Sequence, residues 1–369
     1  MNRVAIVGAG ASGMIAAIIA ARNGALVTLF EKKDRVGKKI LVTGNGRCNF
    51  SNLELSSDFY YTEDDGFITK VFEKFDNHDL ITFFTGLGLL IREKNGYLYP
   101  ACEQASAVLD VLRVGLKDKN IKVVTDCEVT KVSKKGNQFE VTLSDSGKEF
   151  FDKVIISTGG KSGLSKNESV NGYDLCKSLG LPVTKLYPAL TQLKCEGMNF
   201  KAISGVRSEC KLFLFANDEL KMTQMGEVLF TDYGMSGIVS FQVSHYAAEF
   251  LDKKDDVKVV LDLLPGFDSE NLEQFIVPKY LLYSDLTCEE FLTGILSKKL
   301  NVEFIKKAGM KPSDPVSNYS KEQIVKAVLG MKELVIKVTG TNGFDQSQVT
   351  GGGVKISAKT KSGNISLDD

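Results

Sequence analysis

Three glycines, at positions 8, 10 and 13, and a carboxylate at 31 are spaced for one particular chemistry. Gly8-Ala9-Gly10-Ala11-Ser12-Gly13 follows the short apolar run Val4-Ala5-Ile6-Val7 and opens an apolar stretch that Gly24 ends. A second apolar run, Leu26-Val27-Thr28-Leu29-Phe30, terminates at Glu31. The pattern predicts strand, glycine turn, helix and strand within about thirty residues. Gly8 permits a tight turn, Gly10 lets backbone approach a pyrophosphate, and Gly13 lets the helix pack on the sheet. The N–H groups of Ala11, Ser12 and Gly13 open the helix and present its positive end to phosphate. Glu31 can accept from both hydroxyls of an adenosine ribose, and its charge repels a 2′-phosphate. The unit therefore suits FAD or NAD rather than NADP.

Two later stretches favour FAD. After Glu31 and Lys32 come Lys38 and Lys39, then Thr43-Gly44-Asn45-Gly46-Arg47-Cys48-Asn49. A second glycine-rich polar loop is of little use to a simple NAD enzyme, but in a flavoprotein it can reach along the cofactor toward the flavin. An apolar strand at 153–157 then runs into Thr158-Gly159-Gly160, where a small-residue strand end can pass the same cofactor. Val129, at the start of another strand, completes the candidate contacts. Cys48 reads as a partly buried structural thiol rather than a redox group.

Other chemistries find little support. Only His78 and His245 are present, the seven cysteines form no C-x-x-C, and Gly234-Met235-Ser236-Gly237-Ile238 is not a G-x-S-x-G elbow. Lys plus Arg and Asp plus Glu are both 46, so net charge points to neither nucleic acid nor membrane. The apolar run at 14–21 is far short of the roughly twenty residues a membrane span needs. Scattered thiols suit a reducing cytoplasm. A chain of 369 residues can form two or three domains.

Around these motifs, helices are expected at 11–23, 67–86, 104–119 and 172–179. Strands are expected at 121–124, 129–132 and 139–143. Beyond Tyr187-Pro188-Ala189 the pattern is mainly strands to 264, with a helix at 238–250, and then mostly helices to 328. A strand at 334–338 resumes the first domain. The expected fold is α/β: a Rossmann-like FAD-binding domain at 1–190 and 334–369, with a second domain inserted at 191–333.

The stretch 37–52, Thr158-Gly159-Gly160-Lys161-Ser162, Tyr187-Pro188-Ala189-Leu190 and 226–237 together resemble the bacterial aminoacetone-oxidase-like family of NAD(P)/FAD-dependent oxidoreductases, which includes a bile-acid dehydro-reductase. The resemblance covers essentially the whole chain. It implies that the inserted domain combines a β-barrel with helices, and that the enzyme moves a hydride between a small organic substrate or NAD(P)H and flavin. It assigns no general base, and no second Rossmann unit for NAD(P)H is visible. Ile238 stands where the family pattern carries proline. The family pattern continues beyond Gln348-Val349-Thr350-Gly351-Gly352-Gly353-Val354 to a final helix near the flavin, whereas this chain stops at Asp369. From that stop, poor FAD retention is expected, and an inactive FAD-binding protein is the alternative reading.

Glu31→Ala should weaken FAD binding by about tenfold or more, the worth of charge-assisted hydrogen bonds at roughly 1.5–3 kcal/mol. Calorimetric titration of the apoprotein measures this. An unchanged affinity would remove Glu31 from the ribose site.

Overall fold

In the computed structural model the described residues are 1–60, 62, 65–163, 171–355, 359–360 and 363–364. Most of the chain end, on which the expectation of poor FAD retention rests, lies outside them. They form two units. The first comprises Met1–Gly160, Glu168–Lys185 and Gly353–Asp369; the second comprises Lys161–Asn167 and Leu186–Gly352.

The first unit begins with β1 (Arg3–Val7), α1 (Ala11–Arg22) and β2 (Leu26–Phe30). A small antiparallel sheet follows from β3 (Ser51–Asn52), β4 (Ile91–Lys94) and β5 (Tyr97–Pro100), with α2 (Asp65–Lys74) and α3 (Asn77–Gly86) between its strands. Then come α4 (Ala105–Gly115), β6 (Ile121–Val124), the antiparallel β7 (Val129–Lys135), β8 (Gln138–Leu143) and β9 (Lys148–Phe151), then β10 (Lys153–Ile156) and α5 (Gly172–Ser178).

The main sheet has the order β10-β1-β2-β6 and is parallel throughout. β1 pairs Ala5 with Thr28 on one side and with Val154 on the other. Its residues Val4 to Val7 are all buried, because a parallel strand is covered on both faces. Ile6, Met14, Ile18, Leu29, Leu109 and Leu112 belong to the core on one side; Ala5, Val7, Phe30, Val132 and Phe151 belong to that on the other.

The expected helix at 67–86 is two helices. Asp76 caps α3, accepting the N–H of His78 and Asp79, and the Asp79 side chain accepts from the Asp76 N–H. A capping box inside an apolar periodic stretch ends one helix and starts another. The β4–β5 hairpin and β9 were not anticipated. Asn95-Gly96, both with positive φ, is the turn signal for the hairpin.

The second unit contains β11 (Tyr187–Ala189), β12 (Leu193–Glu196), α6 (Phe200–Ile203), β13 (Arg207–Ala216), β14 (Glu219–Thr231), β15 (Gly234–Ser236), α7 (Ile238–Asp252) and β16 (Val257–Asp262). The helices α8 (Ser269–Leu282), α9 (Cys288–Phe291), α10 (Lys298–Lys307) and α11 (Lys321–Leu329) precede β17 (Leu334–Thr341) and β18 (Val349–Gly351). Six strands close a barrel in the order β12-β15-β14-β13-β16-β17, and β11 pairs with β18.

β17 was expected to resume the first domain; it instead closes this barrel, pairing with β12 and β16. Leu334, Ile336 and Val338 are buried while Val335, Lys337 and Thr339 are exposed. That alternation belongs to a barrel wall, with one face on the core and one in solvent. The first unit accordingly resumes at Gly353, not at 334. No helix among the described residues is long and apolar enough to cross a membrane.

Gly234 sits where β15 meets β12. Its φ is +154°, and a Cβ there would lie 2.2 Å from Leu193 O and 2.9 Å from Cys195 N, both backbone atoms. Gly234→Ala should cost roughly 2–3 kcal/mol through overpacking and strain, whereas Gly266→Ala meets nothing within 4 Å and should be near neutral. Denaturant unfolding compares them; equal stability would mean that the barrel yields at this seam.

Candidate functional site

The glycine turn is held at the carboxyl ends of β1, β2 and β10. The Gly8 N–H donates to Phe30 O at 2.8 Å, and the Ser157 N–H donates to Val7 O at 2.8 Å. The Ser157 hydroxyl is shared between Val7 O at 3.1 Å and Gly8 O at 2.9 Å. From the other side, the Gly37 N–H donates to Ala9 O at 2.9 Å. The three strands and the 36–40 loop thus fix the path of the turn before any ligand is considered.

The three fingerprint glycines have different causes. Gly8 has φ +100°, and a Cβ there would lie 2.7 Å from Ser157 O. At Gly13 a Cβ would lie 1.9 Å from Gly8 O. The fold therefore demands both glycines. Gly10 has φ −76°, open to any residue, and a Cβ there meets nothing within 4 Å. The protein's own packing gives no reason for a glycine at 10. Open space above a helix N-terminus does, because a pyrophosphate could fill it.

Gly10 O accepts the first returning N–H of α1, from Met14 at 3.0 Å. The turn before it has no side-chain cap and no acidic residue, so its N–H groups face outward for an anion. Glu31 lies beside them. One carboxylate oxygen accepts the Ala9 N–H at 2.9 Å and the other the Lys33 N–H at 3.0 Å. Those bonds orient the carboxylate and leave each oxygen lone-pair capacity for a hydroxyl. The residues fit an adenine dinucleotide of the FAD type.

The second glycine-rich loop is pinned at Val36, Ile40 and Cys48, all buried in the core with Leu109 of α4. Between these pins Gly44, Asn45 and Gly46 adopt positive φ, as does Cys48. Gly44, Asn45, Gly46 and Arg47 are consequently exposed, as is Asn49. The Thr43 hydroxyl turns inward and donates to Ile40 O at 2.6 Å. Arg47 pairs with Glu103 at 3.7 Å and Lys38 with Asp34, while Lys39 is exposed. These pairings lie at the surface, where ion pairs are weak and readily exchanged.

At the end of β10, Thr158 and Gly159 are exposed and Gly160 is half-buried. Gly159 takes φ +77°. The Val129 side chain is buried in the core with Val7 and Phe30, so it packs rather than faces solvent. Lys32 is half-buried beside Glu31. The sequence reading missed Ser157 and Gly37, which position the turn; a serine closing an apolar strand was the available signal for the first.

Five of the seven cysteines are buried. Burial raises the Cys48 thiol above its ordinary range despite a hydrogen bond with Thr43. Cys195 and Cys210, inside the barrel, are pushed up to about 12 by burial. Cys102 is exposed. His245 is largely buried on α7, its Nε2 3.8 Å from Glu249, and burial lowers its pKa. Ser236 is a buried barrel residue. His78 is exposed near the start of α3.

The contrast between glycines separates folding from binding. Gly10→Ala should leave the unfolding free energy of the apoprotein within about 0.5 kcal/mol, the range of an uncrowded surface change. Its FAD affinity should fall at least tenfold, because the methyl group occupies ligand space. Gly13→Ala should damage the fold itself. If Gly10→Ala binds FAD as tightly as the parent, the space above α1 is not the pyrophosphate site.

The family match and the sequence relatives agree with this geometry. The model of the HI0933-like protein Rossmann domain matches residues 2–363. The 3-dehydro-bile acid delta(4,6)-reductase of Clostridium scindens is 36% identical over 360 residues, covering 96% of this chain and 87% of that protein. The ribosomal RNA dihydrouridine synthase of Haemophilus influenzae is 28% identical over 372 residues, covering 97% of this chain and 88% of that protein. Among solved structures, a flavocytochrome c3 fumarate reductase in its open conformation aligns over 98% of this chain and 71% of its own, at 15% identity and a TM-score of 0.45. With a family match spanning nearly every residue and a glycine turn shaped for a dinucleotide, the chain belongs to the HI0933-like Rossmann family of FAD-dependent oxidoreductases.

Proposed function

We propose that this enzyme is a reductase that saturates a carbon–carbon double bond of a small organic substrate, with NAD(P)H as electron donor. The observation carrying this reading is the 36% identity, over 96% of the chain, to a protein named as a delta(4,6)-reductase. The more distant relative, named as a dihydrouridine synthase, also makes a dihydro product by its name. In the net reaction the nicotinamide gives a hydride and solvent gives a proton; both add across the double bond and NAD(P)⁺ is released. Bound FAD would supply the two-electron relay between donor and substrate.

The chain's own residues bind and orient. The N–H groups of Ala11, Ser12 and Gly13 receive the pyrophosphate over Gly10, and Glu31 holds the adenosine ribose. Lys32 and the backbone beside Val129 flank that end. Lys38, Lys39, Thr43, Gly44, Gly46, Arg47, Cys48 and Asn49 form the loop along the cofactor, and Thr158, Gly159 and Gly160 pass its other side. A small molecule is favoured over RNA because 46 basic residues are balanced by 46 acidic ones, and phosphate-rich partners are met by basic excess. Seven free thiols suit a reducing cytoplasm.

Anaerobic mixing of the FAD-loaded protein with NADH and with NADPH tests the reading. The flavin's visible absorbance should bleach with at least one of them and return on adding a small conjugated enone. Bleaching by neither would leave a passive FAD binder; bleaching only by an amine, with recovery only in oxygen, would make it an oxidase.

A further inference from the structure

A cavity of the first unit lies just beyond the glycine-rich loop and has a volume of about 590 Å³, within the range of small-molecule sites. Its walls come from β3, the turn at 57–59, α2, the start of α3, and β5. Six of the lining side chains are aromatic, Phe50, Phe59, Tyr60, Phe72, Phe75 and Tyr97, and they share the walls with polar ones such as Ser51 and Asn52. Four of these carry large exposure for aromatic residues, with Phe59 68% exposed, Tyr97 46%, Tyr60 47% and Phe75 39%. Ring surface left in water around one cavity forgoes a gain of about 25 cal/mol per Å² that burial under a ligand would give, and such patches mark binding sites.

The walls are held in place. Tyr60 meets Phe72 edge-on at 5.3 Å, and Phe50 meets Phe84 at 5.0 Å. The buried Asn77 donates through Nδ2 to Asn52 O and Leu53 O, both at 2.9 Å, tying the start of α3 to the loop leaving β3. The polarity is one-sided. Asp76 and Glu54 are the acids of the lining, and no Lys, Arg or His lines the cavity among the described residues. A phosphate or carboxylate would therefore meet repulsion without a partner, which argues against the pyrophosphate of NAD(P)H as the occupant. Flat faces and ring edges suit a planar apolar ring system instead.

We propose that this cavity binds the organic substrate as an uncharged, flat ring system; its role as substrate rests on the reductase reading, whereas the cavity and its preference do not. The cavity adjoins the second glycine-rich loop, since its lining residues Phe50 and Ser51 continue the chain from Arg47, Cys48 and Asn49.

The test uses the FAD-loaded full chain and phenylnaphthylamine, a neutral dye that fluoresces in apolar sites. The dye should bind, testosterone, a neutral flat enone, should displace it, and its sulfonated analogue, anilinonaphthalene sulfonate, should bind at least tenfold more weakly. Phe59→Ala and Tyr97→Ala, both at exposed positions, should each weaken the dye by roughly tenfold, the worth of one aromatic contact. Ser51→Trp should fill the cavity and abolish binding while FAD content stays the same. Unchanged dye affinity in all three variants, or tighter binding of the sulfonate, would overturn the proposal. If dye and testosterone bind as expected while neither nicotinamide bleaches the flavin, the cavity stands and the reductase reading fails.

Discussion

The short contact between the β1–α1 turn and the end of β10 is the constraint on which the first unit depends. Gly8 and Ser157 approach so closely that a Cβ on Gly8 would lie 2.7 Å from Ser157 O, and the Ser157 hydroxyl closes the gap by donating back to Val7 O and Gly8 O. Because β1 lies between β2 and β10 in the sheet, the chain leaves β1 at the point where strand order reverses. Crevices outside the carboxyl ends of parallel strands at such a point are where ligands bind. The contact thus aims α1, the Glu31 carboxylate and Thr158-Gly159-Gly160 at one region.

The same economy governs the loop at 36–48. Val36, Ile40 and Cys48 reach into the core, and Gly37 donates its N–H to the glycine turn. Gly37 has φ +73°, and a Cβ there would lie 2.2 Å from Leu109 Cδ1. With both ends tied, the residues between are pushed outward through a run of left-handed conformations. Polar side chains such as Arg47 and Asn49 then stand at the surface on a rigid base, as a binding loop requires. Cys48, the reactive residue type in that loop, is one of its buried anchors, and burial raises its thiol.

The second unit is built on a different rule. Along β13, β16 and β17 buried residues alternate with less buried ones, and closure of six strands removes both sheet edges. Val239, Val243 and Ala247 of α7 share the barrel's core. Closure needs β17, the last strand of the barrel, so the helices α8 to α11 are an excursion from it rather than a separate tail.

The N-terminal βαβ unit was legible in the sequence because its signals are local: an apolar run, glycines at fixed spacing, and a carboxylate one strand later. Gly13 answers to Gly8 within that short segment, Gly8 to Ser157 far along the chain, and Gly10 to open space that the protein's own packing leaves unfilled. The family resemblance also carried the barrel and helices of the second unit. What the tertiary structure alone decided were pairings between residues far apart in the chain. Ser157 reaching Gly8 spans 149 positions, and no periodicity near either residue announces it. The place of β17 was written in its alternation, but a strand pattern does not name its partners; the edges of β12 and β16 do. Helix ends and local turns follow from chemistry over a few residues, as Asp76 splitting α2 from α3 shows, whereas closure, burial of Val129 and the aromatic cavity arise only when distant segments compete for the same core.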